Sequence, residues 1–177
     1  MLEKGRIDGD LMYEIVKKWG WGNSGSPEIY HDPQTRRQGI SFRISIARAV
    51  EKLIETGQLE KAKELINIAV DNMPVAYFGY YPFIEPFVDG YFKVGEPEKA
   101  RGLFRKLKQI YQERLRYVAT LPVELQYRKM EDTIADLQAY QRNVDILAAN
   151  GDKVFAETET LEFNGYVSLV DRVVKGE

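Results

Sequence analysis

The chain of 177 residues contains no cysteine and only one histidine. The lack of cysteine excludes disulfide scaffolds, thiol nucleophiles and cysteine-based zinc sites. A single histidine removes most histidine-based metal and triad chemistry. We therefore expect no catalytic residue, no metal site and no cofactor in this chain. The lack of cysteine does not decide the compartment, because proteins of oxidising compartments need no disulfides.

Strong charge imbalance and long apolar runs are also missing. The 25 basic and 27 acidic side chains give a net charge of −2. Nucleic-acid-binding modules are usually markedly basic, so we expect no nucleic-acid partner. No apolar run reaches the roughly 18 residues that a membrane span needs. The chain also begins without the apolar segment of a signal peptide, which by itself suggests a cytoplasmic protein.

Helical periodicity dominates what is present, and the length suits one globular domain. Residues 10–19 place Leu11, Ile15 and Val16 on one helix face, with Asp10 as the expected N-cap. Residues 20–34 are rich in Gly, Ser, Asn and Pro and predict a loop. Strand signals are few from there to the end of the chain, so the sequence predicts an all-α fold.

Two segments of the chain resemble each other at a distance of 38 residues, beginning at Gly57 and at Gly95. Both continue with the letters E-K-A. A fixed period in this range is typical of stacked helical hairpins, in which the glycine ends one helix and the alanine lies at a close helix crossing. The segments resemble the tetratricopeptide repeat. The matching residues are Gly57, Ala62, Ile66, Ala69 and Pro74 in the first and Tyr91, Gly95, Ala100 and Phe104 in the second.

We therefore expect a short right-handed stack of tetratricopeptide-like hairpins. Residues 1–35 would form an N-terminal helix and loop packed on a helical-repeat domain at 36–177. Within that domain the sequence predicts hairpins at about 40–74 and 79–119. A long helix at 123–150 and a C-terminal helix at 152–174 would form a weaker third unit around Gly151.

A longer match carries a more specific resemblance, over about residues 10–150. A Trp-Gly-Asn motif and an aspartate-containing loop precede an arginine-rich helix and a hairpin ending in Met-Pro. An aromatic-proline helix, a second hairpin and a tyrosine-rich stretch ending in Leu-Pro follow. In this order the chain resembles the soluble C-terminal tail, a domain of unknown function, of bacterial protein O-mannosyltransferase-like membrane proteins. The matching residues are Trp21, Asn23, Asp32, Arg36, Arg37, Arg43, Met73, Pro74, Tyr81, Pro82, Glu85 and Tyr91.

The resemblance implies that the chain is part of a longer protein and lies at the periplasmic face of the inner membrane. It would then be a non-catalytic accessory domain of a glycosyltransferase-like parent. Its partner would be a protein or peptide, either the acceptor polypeptide or a subunit of a membrane complex. The alternative is a free-standing cytoplasmic tetratricopeptide adaptor that binds a peptide or helix. Pro86 departs from the family pattern and predicts a late or kinked helix.

Three features admit a chemical interpretation beside a structural one. The adjacent His31 and Asp32 could supply a general base, or Asp32 could cap the next helix. Trp21 could stack on a sugar, or it could pack with Trp19 against a helix. The arginine run could form a basic patch for phosphate or lipid headgroups, or consist of salt-bridged and solvated side chains. This run comprises Arg36, Arg37, Arg43 and Arg48.

Candidate binding residues come from repeat geometry. In tetratricopeptide stacks the position six residues before the turn glycine faces the concave side, and here it is always acidic. A column of carboxylates would favour a basic ligand, although arginines one turn earlier could neutralise it. The aromatic run at 77–83 could line a groove or pack between hairpins. The candidates are Arg48, Glu51, Glu85, Asp89, Arg142 and Asp145 for the concave face, and Tyr77, Tyr80 and Tyr81 for aromatic contact.

Overall fold

A computed structural model describes residues 7–79 and 81–175, with side chains to residue 171. These residues form helices, turns and loops without strands, which confirms the predicted all-α fold. The helices are α1 (Gly9–Lys17), α2 (Pro33–Glu55), α3 (Leu59–Asn72), α4 (Val75–Phe78), α5 (Glu85–Lys93), α6 (Pro97–Ala119), α7 (Val123–Arg128), α8 (Met130–Ala149) and α9 (Lys153–Lys175), with a short 3-10 helix at Tyr81–Ile84 before α5.

The chain divides into two compact units, the first extending to Ala100 and the second beginning at Arg101. The single domain expected from the length stays a prediction. In the first unit, α2 packs against α1, α3 and α5, and α3 packs against α5. In the second unit, α8 packs along α9, and α7 contacts both. Helices that follow each other as hairpins contact mainly their neighbours, so a chain of this length need not form one core.

Three turns share one backbone geometry, at Gly57, Gly95 and Gly151. Their φ values are 75°, 78° and 82°, in the left-handed region that glycine adopts at little cost. In each turn the next residue's N–H donates to the carbonyl five residues earlier, at 2.8, 2.8 and 3.0 Å. This is the Schellman arrangement that closes a helix C-terminus. The third hairpin, which the sequence signalled only weakly, therefore has the same turn as the first two.

The core positions of the three hairpins also correspond when they are counted from the turn glycine. The positions that are buried in every hairpin include two on the first helix and two on the second. They are Val50, Val88 and Val144 seven residues before the glycine, Leu53, Tyr91 and Leu147 four before, Ala62, Ala100 and Ala156 five after, and Ala69, Leu107 and Phe163 twelve after.

Helix α1 differs from its prediction. Its N-cap is Asp8, whose carboxylate accepts a hydrogen bond from the Leu11 amide at 3.0 Å, so Asp10 lies in the first turn. The buried face comprises Gly9, Tyr13 and Val16, whereas Leu11 and Ile15 are exposed. The apolar period alone predicted the opposite for these two residues. Gly9 fits on this buried face, where an added Cβ would lie 3.2 Å from the Leu53 side chain.

The start of α5 and the break between α7 and α8 coincide with a proline and with polar side chains, respectively. Pro86 lies in the first turn of α5, which confirms the predicted late start. The single helix expected at 123–150 is instead interrupted at Lys129. Beside the break, the Thr133 hydroxyl donates to the Lys129 carbonyl at 2.8 Å, and the buried Gln126 amide donates to the Leu121 carbonyl at 2.8 Å. Such side-chain bonds compete with regular helix geometry.

Candidate functional site

The predicted concave-face residues of the first unit lie on α2 and α5, which contact each other. We call Arg48, Glu51, Glu85 and Asp89 the α2–α5 face. Glu51 is exposed, and the other three are half-buried. Asp89 accepts a hydrogen bond from Lys93 Nζ at 2.6 Å, one turn further along α5. The face is therefore acidic but partly neutralised, as expected for surface carboxylates with basic neighbours.

The remaining predicted concave-face residues, Arg142 and Asp145, are exposed on α8 in the second unit. Asp145 accepts a hydrogen bond from Gln141 Nε2 at 2.8 Å, within one turn of the same helix. Because the acidic positions are divided between two units, a continuous column of carboxylates stays a prediction.

The aromatic run separates into buried and accessible members. Phe78 is buried, with its ring 4.4 Å from that of His31, so it belongs to the core of the first unit. Tyr77 and Tyr81 are half-buried, and Phe83 is more exposed. Tyr80 lies outside the described residues. A contact role for Tyr77 and Tyr81 stays a prediction.

Asp32 has the capping role. Its Oδ1 accepts hydrogen bonds from the Gln34 and Thr35 amides at 2.8 and 3.0 Å, and its Oδ2 accepts one from the Thr35 hydroxyl at 2.7 Å. Both oxygens are thus engaged at the N-terminus of α2. These bonds, led by the Thr35 hydroxyl, lower the pKa of Asp32 below its ordinary value. The neighbouring His31 is buried, and its Nε2 donates to the Ser24 carbonyl at 2.8 Å.

The tryptophans pack with each other and with α2. The Trp19 ring lies 5.5 Å from Trp21, edge to face, and 5.2 Å from Phe42 of α2. Packing against a helix is therefore confirmed for Trp19. Both tryptophans are half-buried, so part of each ring remains accessible. Sugar stacking on Trp21 stays a prediction.

Sequence analysis treated Arg43 as one of four surface arginines, which form either a basic patch or salt-bridged and solvated side chains, but its side chain is fully buried. Its two terminal nitrogens donate to the carbonyls of Met73 at 2.7 Å and Gly79 at 2.6 Å. Its guanidinium carbon lies 5.7 Å from the centre of the Phe78 ring. Burial lowers the pKa of Arg43 to about 10, so the group is still cationic at neutral pH.

This cluster closes the C-terminal end of α3, whose last turn contains no basic residue. Arg43 supplies the missing positive charge there, and the Ser24 hydroxyl donates to the Asn72 carbonyl at 2.7 Å. A signal for the burial was available, since Arg43 falls at helical spacing with Ile46, Val50 and Leu53 on the buried face of α2.

The second unit contains a polar network that sequence analysis did not find. Lys108 of α6 donates to Glu159 and Glu162 of α9, each at 2.6 Å, and the Glu159 side chain is only 5% exposed. Gln112 Nε2 donates to Glu162 at 2.8 Å and to the Tyr140 hydroxyl at 3.0 Å. Burial disfavours the charge on Lys108, but its bonds to both glutamates dominate and raise its pKa. The bond from Lys108 is the main reason why the pKa of Glu162 is lowered.

A second polar cluster joins α1 to α3. The Tyr13 hydroxyl donates to Glu64, and Lys17 Nζ lies 3.1 Å from both the Tyr13 hydroxyl and Glu64. An adjoining cavity of about 260 Å³ is lined by Tyr13, Glu60, Lys61, Lys63, Glu64 and Asn67.

Comparisons of the chain with protein-family models, curated proteins and solved structures return no match. Across residues 7–79 and 81–175, no group of three or more His, Asp or Glu side chains is arranged to hold a metal ion. Within the same ranges, no helix combines the length and apolarity that crossing a bilayer requires.

Proposed function

We propose that this chain is a non-catalytic interaction domain built as a short tetratricopeptide-like stack, which binds a protein or peptide partner. The proposal rests on one observation. The turns at Gly57, Gly95 and Gly151 have the same backbone geometry, and residues at the same distances from each glycine are buried. Repeated hairpins of this kind present their first helices side by side, which gives an extended surface for a polypeptide.

We further propose that the parent protein is a membrane-bound glycosyltransferase-like protein with this domain at the periplasmic face. Support for this step is the resemblance in sequence order described above. In this setting the domain would hold an acceptor polypeptide or an assembly partner close to the membrane. Protease accessibility of a C-terminal tag in spheroplasts tests the placement. A tag that is protected, on a protein that fractionates with the soluble phase, would favour the cytoplasmic adaptor instead.

The binding surface proposed for the first unit is the α2–α5 face. Fluorescence anisotropy with two labelled helical peptides of equal length, one rich in Lys and one rich in Glu, tests its charge preference. We expect the basic peptide to bind more tightly and to weaken with added salt, because exposed charges are screened. Glu51→Lys and Asp89→Lys should each weaken that binding several-fold.

The matched control is Glu60→Lys, an exposed glutamate on α3 that lies off this face and pairs with Lys63 at 2.7 Å. It makes the same change in net charge and should leave the affinity unchanged. Equal losses in all three variants would mean that only overall charge matters. That result would remove the α2–α5 face from the proposal.

A further inference from the structure

The outer side of α9 carries a row of exposed side chains, which we call the α9 row. Its members follow one another at intervals of three and four residues, so they lie along one side of the helix. All of them are exposed, and the two aliphatic ones, Val154 and Leu161, are 80% and 75% exposed. A helix of a folded unit normally turns its aliphatic side chains inward. The row comprises Val154, Glu157, Leu161, Asn164 and Ser168.

The first hairpin shows what the corresponding positions contact when another hairpin follows. The residues six and ten positions after its turn glycine are Lys63 and Asn67 of α3. Lys63 Nζ lies 3.7 Å from the Glu96 carboxylate, and Asn67 Oδ1 accepts a hydrogen bond from Lys99 Nζ at 3.1 Å. Glu96 and Lys99 lie one and four positions after the next turn glycine. These positions of α3 are therefore contacts with the following second helix.

The second hairpin repeats this arrangement with different chemistry. Its residues at positions six and ten are Arg101 and Arg105 of α6. Arg101 Nε donates to the Asp152 carboxylate at 2.7 Å, and the guanidinium carbon of Arg105 lies 5.2 Å from the centre of the Phe155 ring. Asp152 and Phe155 again lie one and four positions after the next turn glycine. The same side of a second helix is thus covered by the next one in both cases.

In the third hairpin these two positions are Glu157 and Leu161, which are exposed. Position six is basic in the first two hairpins and meets an acidic residue, whereas in the third it is itself acidic. The first residues after the three turn glycines are Gln58, Glu96 and Asp152, so none of the hairpins would bring a base to Glu157. Neither a further hairpin of this kind nor a second copy stacked in the same way is complementary to the α9 row.

We propose that the α9 row binds an amphipathic helix of a partner protein, with a Lys or Arg opposite Glu157 and an apolar side chain opposite Leu161. This helix would lie on α9 as α9 lies on α6. Asp171, three residues after Ser168, is also exposed and extends the acidic character of the row. Among the described side chains of α9, at 153–171, Lys153 is the only base. The inference goes beyond the proposed α2–α5 face, because it concerns a separate surface.

A dye placed beside the α9 row tests the proposal. The chain contains no cysteine, so Thr158→Cys supplies a single exposed thiol for an environment-sensitive fluorophore. A synthetic amphipathic helix of Leu and Lys should shift the emission to the blue, and its counterpart with Glu in place of Lys should need a concentration about tenfold higher. Leu161→Gln should weaken binding of the Lys peptide by about tenfold, since the central apolar contact is lost. Glu157→Lys should weaken it several-fold and improve binding of the Glu peptide.

The matched control is Glu51→Lys, which makes the same charge change on the α2–α5 face and should leave the dye response unchanged. If Glu51→Lys abolishes the response and neither Glu157→Lys nor Leu161→Gln affects it, the inference is overturned and the proposed function stands. Equal affinity for the two peptides, or no response to either, would also overturn it. So would self-association of the wild-type chain in sedimentation velocity that Leu161→Gln reverses, because a second copy would then be the occupant.

Discussion

Replacement of Arg43 by methionine tests whether the buried cation holds the first unit together. Arg43→Met keeps an unbranched apolar stem but removes both donors, so the carbonyls of Met73 and Gly79 lose their bonds at 2.7 and 2.6 Å. Each carbonyl left without a partner in the interior costs about 1–3 kcal/mol. Relief of the buried charge offsets part of this cost. We expect a net loss of about 2–4 kcal/mol in the free energy of unfolding.

The assay is urea unfolding followed by tryptophan fluorescence. Trp19 and Trp21 are the two tryptophans of the chain, and both lie in the first unit, so the signal reports on that unit. With a slope of about 1–3 kcal/mol per molar urea, the midpoint should fall by about 0.7–4 M. Arg43→Lys should recover only part of the loss, because one compact ammonium replaces a fork of donors.

The control is Arg37→Met, an exposed arginine on the same helix, whose effect should stay within about 0.5 kcal/mol. If Arg43→Met unfolds at the same urea concentration as Arg37→Met, the cation does not stabilise the end of α3. The buried charge would then destabilise the fold, and other packing would offset this effect. Replacing buried ion pairs by apolar residues in other proteins is likewise often neutral or stabilising.

Three further predictions concern other sites. Gly25→Ala should destabilise the first unit, since the new Cβ would lie 2.1 Å from the Asp71 carbonyl oxygen, whereas Gly20→Ala has open space and should be neutral in the same fluorescence assay. Lys108→Met should destabilise the second unit by about 3–5 kcal/mol, because Glu159 would be buried without its partner. Adding Glu159→Leu should recover at least half of this loss in the free energy of unfolding, measured by urea unfolding followed by far-UV circular dichroism. The folded state lowers the pKa of Glu162, mainly through the bond from Lys108. The Glu162 carboxylate therefore stabilises the fold above the ordinary glutamate pKa, and this stabilisation is lost as the pH falls through the pKa of the folded state. Glu162→Gln should therefore flatten the decline in urea midpoint between about pH 6 and 3, and an unchanged slope would contradict this.

Local signals in the sequence were sufficient for the helical class, the turns and one cap. Gly57, Gly95 and Asp32 act through their own backbone neighbours, so their roles could be inferred without knowledge of the fold. The outward position of Ile15 and the hydrogen-bond partners of Arg43 could not be inferred in this way. Both depend on partners far away in the chain, such as the carbonyl of Gly79, 36 residues after Arg43.

The candidate site was harder to predict than the fold for a related reason. A position on a repeat predicts which side of a helix a residue occupies, and Glu51 is indeed exposed. It does not predict how much charge the surface keeps once neighbouring side chains form ion pairs. Asp89, for example, pairs with Lys93. The break between α7 and α8 was missed because it coincides with side-chain bonds at Gln126 and Thr133, which leave no proline or glycine as a marker.

The charged residue Glu159 has a consequence for how the chain finds its own fold. Eight residues after the turn glycine, the first two hairpins have Leu65 and Leu103, and the third has Glu159, all buried. Hairpins that look alike can assemble with the wrong neighbour, a known failure of repetitive chains. A glutamate in that position is tolerated only where Lys108 meets it, so any misplaced pairing of α9 would bury a charge without compensation. Glu159 therefore disfavours any pairing of α9 in which Lys108 does not reach it.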